Sequence, residues 1–486
     1  MKKLLLIVLI AIAMLTLTFV QQALSFEPPQ VEWSKTYGGL GIEYAGDDFV
    51  QTCDGGYAMV GCTNFGSGNA DFWLVKTDRD GEVQWNKTYG GSGDDIALSI
   101  VQTREGGFAL AGYTNSFGAG DYQWWLIKTD ATGNIQWDIC GGTTYGDFAE
   151  DLVQTADGGY AVTGYTQLAY EEYDAWLVKT DANGIVQFRQ TYGGGSSNSI
   201  VQTSDGGYAF TGATFAYASG TRDDVWLVRT DANGDMLWNR TFGEPDKDDT
   251  GHDLIQTVDG GCAITGERDW FGATDMWLIK TGVDGYEIWK KSYGGAGVEV
   301  GRSIVQTSDR GYAVAGQRSV AHGSPNDVWL VRTDSDGKVL WDFTYGGEQE
   351  DWAKCVVLTK DAGYALFGST NSFGAGTYDF YLIRLASFVT WEHVFKDPCR
   401  GTVLKVSTDD HYFQFVAPEK EFPIKQDLGM HVKKCPFFTS ITICYEDCDV
   451  KLSCYALDER FDFCVACLRD MNAAKTYLLT DPPGTE

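Results

Sequence analysis

Residues 224–243 read DVWLVRTDANGDMLWNRTFG, and close copies of this stretch recur along the chain. Residues 72–91 read FWLVKTDRDGEVQWNKTYGG, and residues 329–347 read WLVRTDSDGKVLWDFTYGG. Each copy places an apolar run of strand length on either side of TD-x-x-G, a short turn that ends in glycine. The stretch therefore predicts a β-hairpin that the chain repeats.

Three markers measure the spacing of the copies. An aromatic residue stands before the K-T-Y-G-G motif or its variants at Trp33, Trp85, Trp137, Phe188, Trp238, Trp289 and Trp341. The V-Q-T motif and its variants begin at Val50, Val101, Val153, Val201, Ile255, Val305 and Val357. The W-L-x-K-T motif begins at Trp73, Trp125, Trp176, Trp226, Trp277 and Trp329, with Tyr381 in the seventh copy. Successive copies lie about 51 residues apart, so the chain contains seven units.

Each unit carries four short strand patterns separated by turn signals, and this region shows no helical periodicity. In one unit the patterns are ALSIVQT, GGFALAGYT, WWLIKTD and NIQWDIC, within residues 97–140. Four antiparallel strands repeated every ~50 residues are typical of a propeller blade, whose faces are buried against its neighbours. We therefore predict an all-β chain with a seven-bladed β-propeller over residues 30–388.

The ends of the repeat region indicate how the ring closes. VEWSKTYGG, at residues 31–39, matches the pattern of a fourth strand, but no patterns for strands one to three come before it. The seventh unit, in turn, ends after its third strand, at YLIRLAS. We predict that the N-terminal strand completes the last blade. The alternative fourth strand is VTWEHVF, at residues 389–395.

The pattern W-L-x-K-T-D-x-x-G-x-x-x-W resembles the tryptophan-docking repeat of quinoprotein-like β-propellers, over roughly residues 30–388. The resemblance implies that a strand-three Asp, a turn Gly and a strand-four Trp lock adjacent blades. Quinoprotein dehydrogenases commonly have eight blades and two adjacent cysteines, whereas this chain has seven units and no Cys-Cys pair. The sequence therefore predicts no cofactor.

Residues 1–25 have the composition of an export signal: a basic start, an apolar run from Leu4 to Val20, and small residues at Ala23 and Ser25. We expect a secreted or cell-surface protein. The alternative is an uncleaved membrane anchor, although 17 apolar residues are marginally short for a span.

The net charge of the chain limits the kinds of molecule that it can bind. Among 486 residues there are 37 Lys and Arg against 67 Asp and Glu, a formal net charge of −30. Phosphates require a basic surface, so nucleic acid is excluded as a partner. The charge suits a soluble chain or one that meets cations.

Aligning the units shows one position where the copies differ in chemistry, three residues before the V-Q-T motif. It holds Asp47, Leu98, Glu150, Asn198, His252, Arg302 and Lys354. The first strand of a blade lines the central channel, so we predict that these residues form a ring at the channel mouth. The alternative is a solvated channel without a ligand.

Loop lengths distinguish the two faces of the predicted propeller. The turns between strands one and two and between strands three and four are short and similar, and they share what we call the turn face. The strand two–three loops and the linkers between blades vary, and they share the opposite loop face. Variable loops on a rigid scaffold are a common seat of binding. Candidate contacts there are Tyr170, Tyr173, Trp270 and Phe271.

These features predict an exported, non-enzymatic binding protein. Aromatic residues beside carboxylates suit a glycan, a protein surface or calcium, and a merely acidic, solvated rim is the alternative. The second functional hypothesis is a glycan-active hydrolase or lyase, with Asp47, Glu150 and His252 as acid–base candidates. No H-E-x-x-H, Walker or G-x-S-x-G motif is present, and we name no catalytic or metal-binding residue.

Residues 389–486 differ in composition and contain seven of the twelve cysteines. Their alternating pattern predicts a small, Cys-rich β domain. A hairpin centred on Glu459 would place Cys454 opposite Cys464, so we predict a disulfide between them in an oxidising compartment. The C-x3-C and C-x2-C spacing leaves zinc as the alternative.

Overall fold

The computed structural model describes residues 29–386, except for 65–68, 119, 170–171, 215–222, 245–246, 271–272, 322 and 362. It also describes the backbone of seven strands between residues 389 and 478. No helix among these residues is long and apolar enough to span a membrane.

Residues 31–385 form 28 strands. The first fourteen are β1 (Val31–Tyr37), β2 (Glu43–Gln51), β3 (Tyr57–Thr63), β4 (Asp71–Thr77), β5 (Val83–Tyr89), β6 (Asp95–Gln102), β7 (Phe108–Thr114), β8 (Gln123–Thr129), β9 (Ile135–Gly141), β10 (Gly146–Gln154), β11 (Tyr160–Ala169), β12 (Glu172–Thr180), β13 (Val186–Gly193) and β14 (Ser199–Gln202). The others are β15 (Tyr208–Thr214), β16 (Asp224–Thr230), β17 (Met236–Phe242), β18 (Asp249–Gln256), β19 (Cys262–Trp270), β20 (Ala273–Thr281), β21 (Glu287–Tyr293), β22 (Glu299–Gln306), β23 (Tyr312–Ser319), β24 (Asn326–Thr333), β25 (Val339–Tyr345), β26 (Asp351–Leu358), β27 (Tyr364–Thr370) and β28 (Asp379–Leu385).

These strands form seven antiparallel sheets of four strands, which confirms the predicted seven-bladed propeller. Blades 1 to 6 each take four consecutive strands, from β2–β5 to β22–β25. Blade 7 takes β26, β27 and β28, and β1 is its fourth strand, with Trp33 opposite Arg384 and Tyr37 opposite Phe380. The prediction that the N-terminal strand closes the ring is therefore confirmed.

The Asp and Gly residues of the strand three–four turns stabilise these hairpins. In blade 1, the Asp78 carboxylate accepts hydrogen bonds from the backbone N–H groups of Asp80 and Glu82, at 2.9 and 2.8 Å. Gly81 has φ of 76°, in the left-handed region that favours glycine. This arrangement explains why TD-x-x-G recurs in five of the six strand three–four turns, with T-G-x-x-G in blade 5 as a near match.

The repeated Trp packs on the next blade. A Cβ on Gly81 would lie 2.9 Å from two ring atoms of Trp33, so only glycine lets that ring cover the turn. The Trp33 ring also meets the edge of Tyr57, with centroids 5.8 Å apart. Equivalent contacts join Trp85 to Gly133 and Trp137 to Gly184. The apolar core is accordingly divided into clusters that each combine residues of two adjacent blades.

The C-terminal strands form two further antiparallel sheets, in agreement with the all-β prediction for this segment. One contains β29 (Val389–Asp397), β30 (Gly401–Thr408) and β31 (Tyr412–Val416). The other contains β32 (Ser440–Ile443), β33 (Asp449–Ala456), β34 (Glu459–Cys467) and β35 (Lys475–Leu478). The boundary at residue 389 stays a prediction.

The register of β33 and β34 corrects the argument for a disulfide. Cys454 lies opposite Phe461, and Cys464 lies opposite Lys451, because the chain turns between Ala456 and Glu459 rather than around Glu459. The two cysteines are therefore not cross-strand neighbours, and the geometric reason for pairing them does not hold.

Candidate functional site

The first strands of the blades surround the central channel. Each of β2, β6, β10, β14, β18, β22 and β26 contacts the first strand of the next blade, and β26 contacts β2. These seven strands thus form a closed inner ring. The apolar residues after the variable positions are buried between them, as expected: Phe49, Ile100, Leu152, Ile200, Leu254, Ile304 and Val356.

A β-bulge orients most of the variable side chains. The strand one–two register skips one residue in five blades, and the skipped residues are Leu98, Glu150, His252, Arg302 and Lys354. In blade 1 the shift spans residues 46–48 and includes Asp47, and Asn198 directly precedes β14. A bulged residue leaves the hydrogen-bond ladder and its side chain is re-aimed. We call these seven residues, all partly exposed, the channel ring.

Neighbouring members of the channel ring contact each other. The Lys354 Nζ lies 2.5 Å from the Asp47 carboxylate, although the two residues are 307 positions apart. His252 Nε2 lies 3.2 Å from Glu267 Oε1 on β19, and Arg302 Nη1 lies 3.2 Å from the same nitrogen. The structure therefore joins four predicted residues into two groups of charged and polar side chains, with Glu267 as an unpredicted member.

The two acids of the channel ring differ in proton affinity. Burial, with the negative charge of Asp47 nearby, raises the pKa of Glu150 to about 8. Burial acts in the same direction on Asp47, but the ammonium group of Lys354 outweighs it and holds the pKa of Asp47 below its usual range. The channel wall surrounds both carboxyls with protein even though each touches the lumen. At neutral pH, Asp47 is charged and Glu150 is mostly neutral.

A second circle of side chains, which we call the girdle, adjoins the channel ring. Its members are Asp48, Ser99, Asp151, Ser199, Asp253, Ser303 and Cys355. Ser99 Oγ donates to Asp151 at 2.8 Å, Ser199 Oγ donates to Asp253 at 2.9 Å, and the Cys355 thiol donates to Asp48 at 3.3 Å.

The girdle also links blades through the backbone. Asp151 Oδ2 accepts the backbone N–H of Ile200 in the next blade at 2.8 Å, and Asp253 does the same for Ile304. The girdle side chains therefore hold the inner strands together, and their polar groups bond to one another and to the backbone. The channel ring, by contrast, keeps polar groups available to a ligand.

Two groups of aromatic rings lie at the loop-face ends of these strands. The first aromatic cluster consists of Tyr44, Trp352 and Tyr378, with centroid distances of 5.2 Å for Tyr44–Tyr378 and 5.1 Å for Trp352–Tyr378.

The second aromatic cluster consists of Tyr113, Tyr122, Phe148, Tyr165 and Tyr173. Phe148 lies 4.9 Å from Tyr113 and 5.1 Å from Tyr165, centroid to centroid. After burial, the charge of Glu150 is the next cause that raises the pKa of both Tyr113 and Tyr165, so this cluster lies beside the channel ring.

Of the four aromatic candidates from the loops, Tyr173 belongs to the second aromatic cluster. Tyr170 and Phe271 lie outside the described residues, and only the backbone of Trp270 is described, at the end of β19. The alignment of copies contained a signal for the missed residues: the position after the strand-two glycine varies and holds Tyr113, Tyr165 and Glu267.

Within the described part of the chain, no three His, Cys, Asp or Glu side chains are grouped as metal ligands would be. Among the residues whose side chains are described, Cys53, Cys62, Cys140, Cys262 and Cys355 are free thiols.

The fold defines a seven-bladed β-propeller whose inner strands carry a ring of mostly polar side chains. No family model matches the chain, and no curated protein matches it. Among solved structures, the chain is similar to a protein of unknown function from Dyadobacter fermentans, with 10% identity, 74% of this chain and 100% of that chain covered, and a TM-score of 0.44.

Two further similar structures are a puromycin hydrolase and Drosophila Plexin A in complex with Semaphorin 1b. The first has 12% identity and a TM-score of 0.45, and covers 76% of this chain. The alignment spans 58% of the hydrolase. The second has 7% identity and a TM-score of 0.45, and covers 74% of this chain and 88% of that chain. At these values no function is transferred from them.

Proposed function

We propose that this protein is an exported binding protein that takes a glycan at the loop-face mouth of the channel. The observation that carries the proposal is the position of the two aromatic clusters, partly exposed beside the channel ring, on the face where the copies differ. Binding sites commonly combine aromatic walls with a few polar groups that fix orientation. Flat sugar faces suit the rings, and hydroxyl groups suit Asp47, Asn198 and Glu150.

The export part of the proposal rests on residues 1–25. The tryptophan-docking resemblance is supported by the contact of Trp33 with Gly81 and its equivalents. The aromatic clusters would also suit a protein surface as the binding partner. Calcium binding remains a proposal, and the described residues contain no group of three His, Cys, Asp or Glu side chains that could hold the ion.

The test is a glycan array with the secreted full chain, followed by calorimetry on the ligands that bind. The double change Trp352→Ala and Tyr378→Ala should weaken binding by at least tenfold, since two ring contacts are removed. Tyr286→Ala is the matched control, because this aromatic ring is 62% exposed on the turn face. A loss of affinity with Tyr286→Ala alone, or no glycan bound at all, would contradict the proposal.

A glycan-active hydrolase is the second candidate, and one observation favours it. The environments of Asp47 and Glu150 separate their pKa values, as in enzymes that use one carboxyl as acid and another as base. To decide between a binding protein and a hydrolase, each bound oligosaccharide is incubated with the protein and shorter products are sought. In an enzyme, Glu150→Gln would stop product formation and leave binding intact.

A further inference from the structure

Arg302 is the cation of the channel ring that makes no direct ion pair with a described carboxylate. Lys354, the other cation of the ring, is neutralised by Asp47 at 2.5 Å. No described carboxylate lies within ion-pair distance of the Arg302 guanidinium, in a chain with 67 acidic residues. The Glu267 carboxylate acts on Arg302 across the His252 imidazole rather than by direct contact, so the guanidinium keeps N–H donors that suit an external anion.

The Arg302 side chain is nevertheless held in one place. Its Nη1 lies 3.4 Å from Nδ1 and 3.2 Å from Nε2 of His252, so it lies over the imidazole ring rather than in line with either nitrogen. Glu267 fixes that ring through Nε2. The Nε–H of Arg302 is buried and has no acceptor in the described residues. The guanidinium therefore has a set direction and unused donors.

We propose that Arg302 binds the carboxylate of an acidic sugar residue whose ring packs on the aromatic clusters. The inference rests on the proposed glycan-binding function and adds the class of glycan, one that contains uronic acid. The planar fork of arginine matches the two oxygens of a carboxylate. Glu150 does not oppose such an anion strongly, because its raised pKa, about 8, keeps it mostly neutral at pH 7.

The experiment compares uronic acid trisaccharides with their methyl esters, which keep the ring and lose the charge. Calorimetry with the secreted full chain should show the acid bound roughly tenfold to a hundredfold more tightly, the usual effect of a charged hydrogen bond. Arg302→Gln should bring acid and ester to equal affinity. Arg79→Gln, an exposed arginine on the turn face, should leave the difference unchanged.

Equal affinity of acid and ester for the unchanged protein overturns the inference, and this comparison needs no variant that folds. Binding of neutral glycans only would leave the proposed function standing and overturn the role of Arg302. Binding of no glycan would overturn both.

Discussion

Arg310 stands in the strand one–two turn at a position that holds glycine in five of the other six copies. Its φ is 67°, whereas Gly55, Gly158 and Gly206 hold the equivalent place in the strand one–two turn at 84°, 87° and 88°. The left-handed region costs a side-chain-bearing residue roughly 1–2 kcal/mol. Arg310→Gly should therefore raise the free energy of unfolding by about 1 kcal/mol, reduced somewhat by the flexibility of glycine in the unfolded chain.

Urea unfolding measures this change. Gly206→Ala is the matched reverse substitution, since nothing lies within 4 Å of the Cβ it would add, so only backbone strain is tested. It should lower the free energy of unfolding by about 1 kcal/mol. Effects of the same sign for both variants would show that the turn does not discriminate between glycine and other residues.

At the residue scale, the copies themselves revealed the channel ring, because the side-chain chemistry changed at one position while the residue two positions later stayed apolar. They could not reveal that Lys354 meets Asp47, since that contact exists only once the last blade meets the first. The group of His252, Arg302 and Glu267 was equally hidden, because Glu267 comes from a different strand, β19, and meets the bulged residue His252 only in the folded blade.

At the scale of elements, β1 is the strand on which closure depends. Deleting residues 30–37 would leave the backbone of β28 unpaired along one edge and expose the core of blade 7. We predict a melting temperature several degrees lower, together with a tendency to associate through the free edge. Circular dichroism and size-exclusion chromatography measure the two effects.

A chain that ends at residue 388 is the control for this deletion. It lacks β29, the rejected candidate for the fourth strand of blade 7, and should keep the propeller's melting temperature. If it melts as early as the β1 deletion does, the C-terminal strands contribute to the propeller and the boundary at residue 389 is wrong.

Strands were easier to predict than their registers. The alternating pattern in residues 449–467 predicted two strands, and β33 and β34 are found there. Which residues face each other depended on the register, and the pairing of Ala456 with Glu459 placed Cys464 opposite Lys451. In the propeller this ambiguity did not arise, because a glycine stands at a fixed place in the seven strand one–two turns and in the six strand three–four turns.

For the whole molecule, buried carboxyls set the response to pH. Burial raises the pKa of Asp48 and Glu150 to about 8 and that of Asp249 and Asp253 to about 6. An unfolded carboxyl titrates near 4. These groups stabilise the fold fully below that value, and their contribution is lost as pH rises through 6 to 8. Burial lowers the pKa of His252, which acts in the opposite direction, but this is one group against four.

We therefore predict that the melting temperature falls between about pH 5 and about pH 8.5. Asp48→Asn should reduce this dependence of the melting temperature on pH, because the amide can still accept hydrogen bonds and cannot ionise. The melting temperature of the variant should exceed that of the unchanged protein most at the alkaline end of the range. Calorimetry across the range measures both. A melting temperature that rises with pH would show that the girdle carboxyls are ionised in the folded state.

The alternation of side chains in the girdle limits how the number of blades can change. Acid and hydroxyl alternate from Asp48 to Ser303, but seven is odd, so alternation must fail once, and Cys355 stands at the failure between Ser303 and Asp48. Duplicating any one of the first six blades would set two acids or two hydroxyls side by side. Duplicating two adjacent blades among these six preserves the order, so we expect blade number to increase here in steps of two.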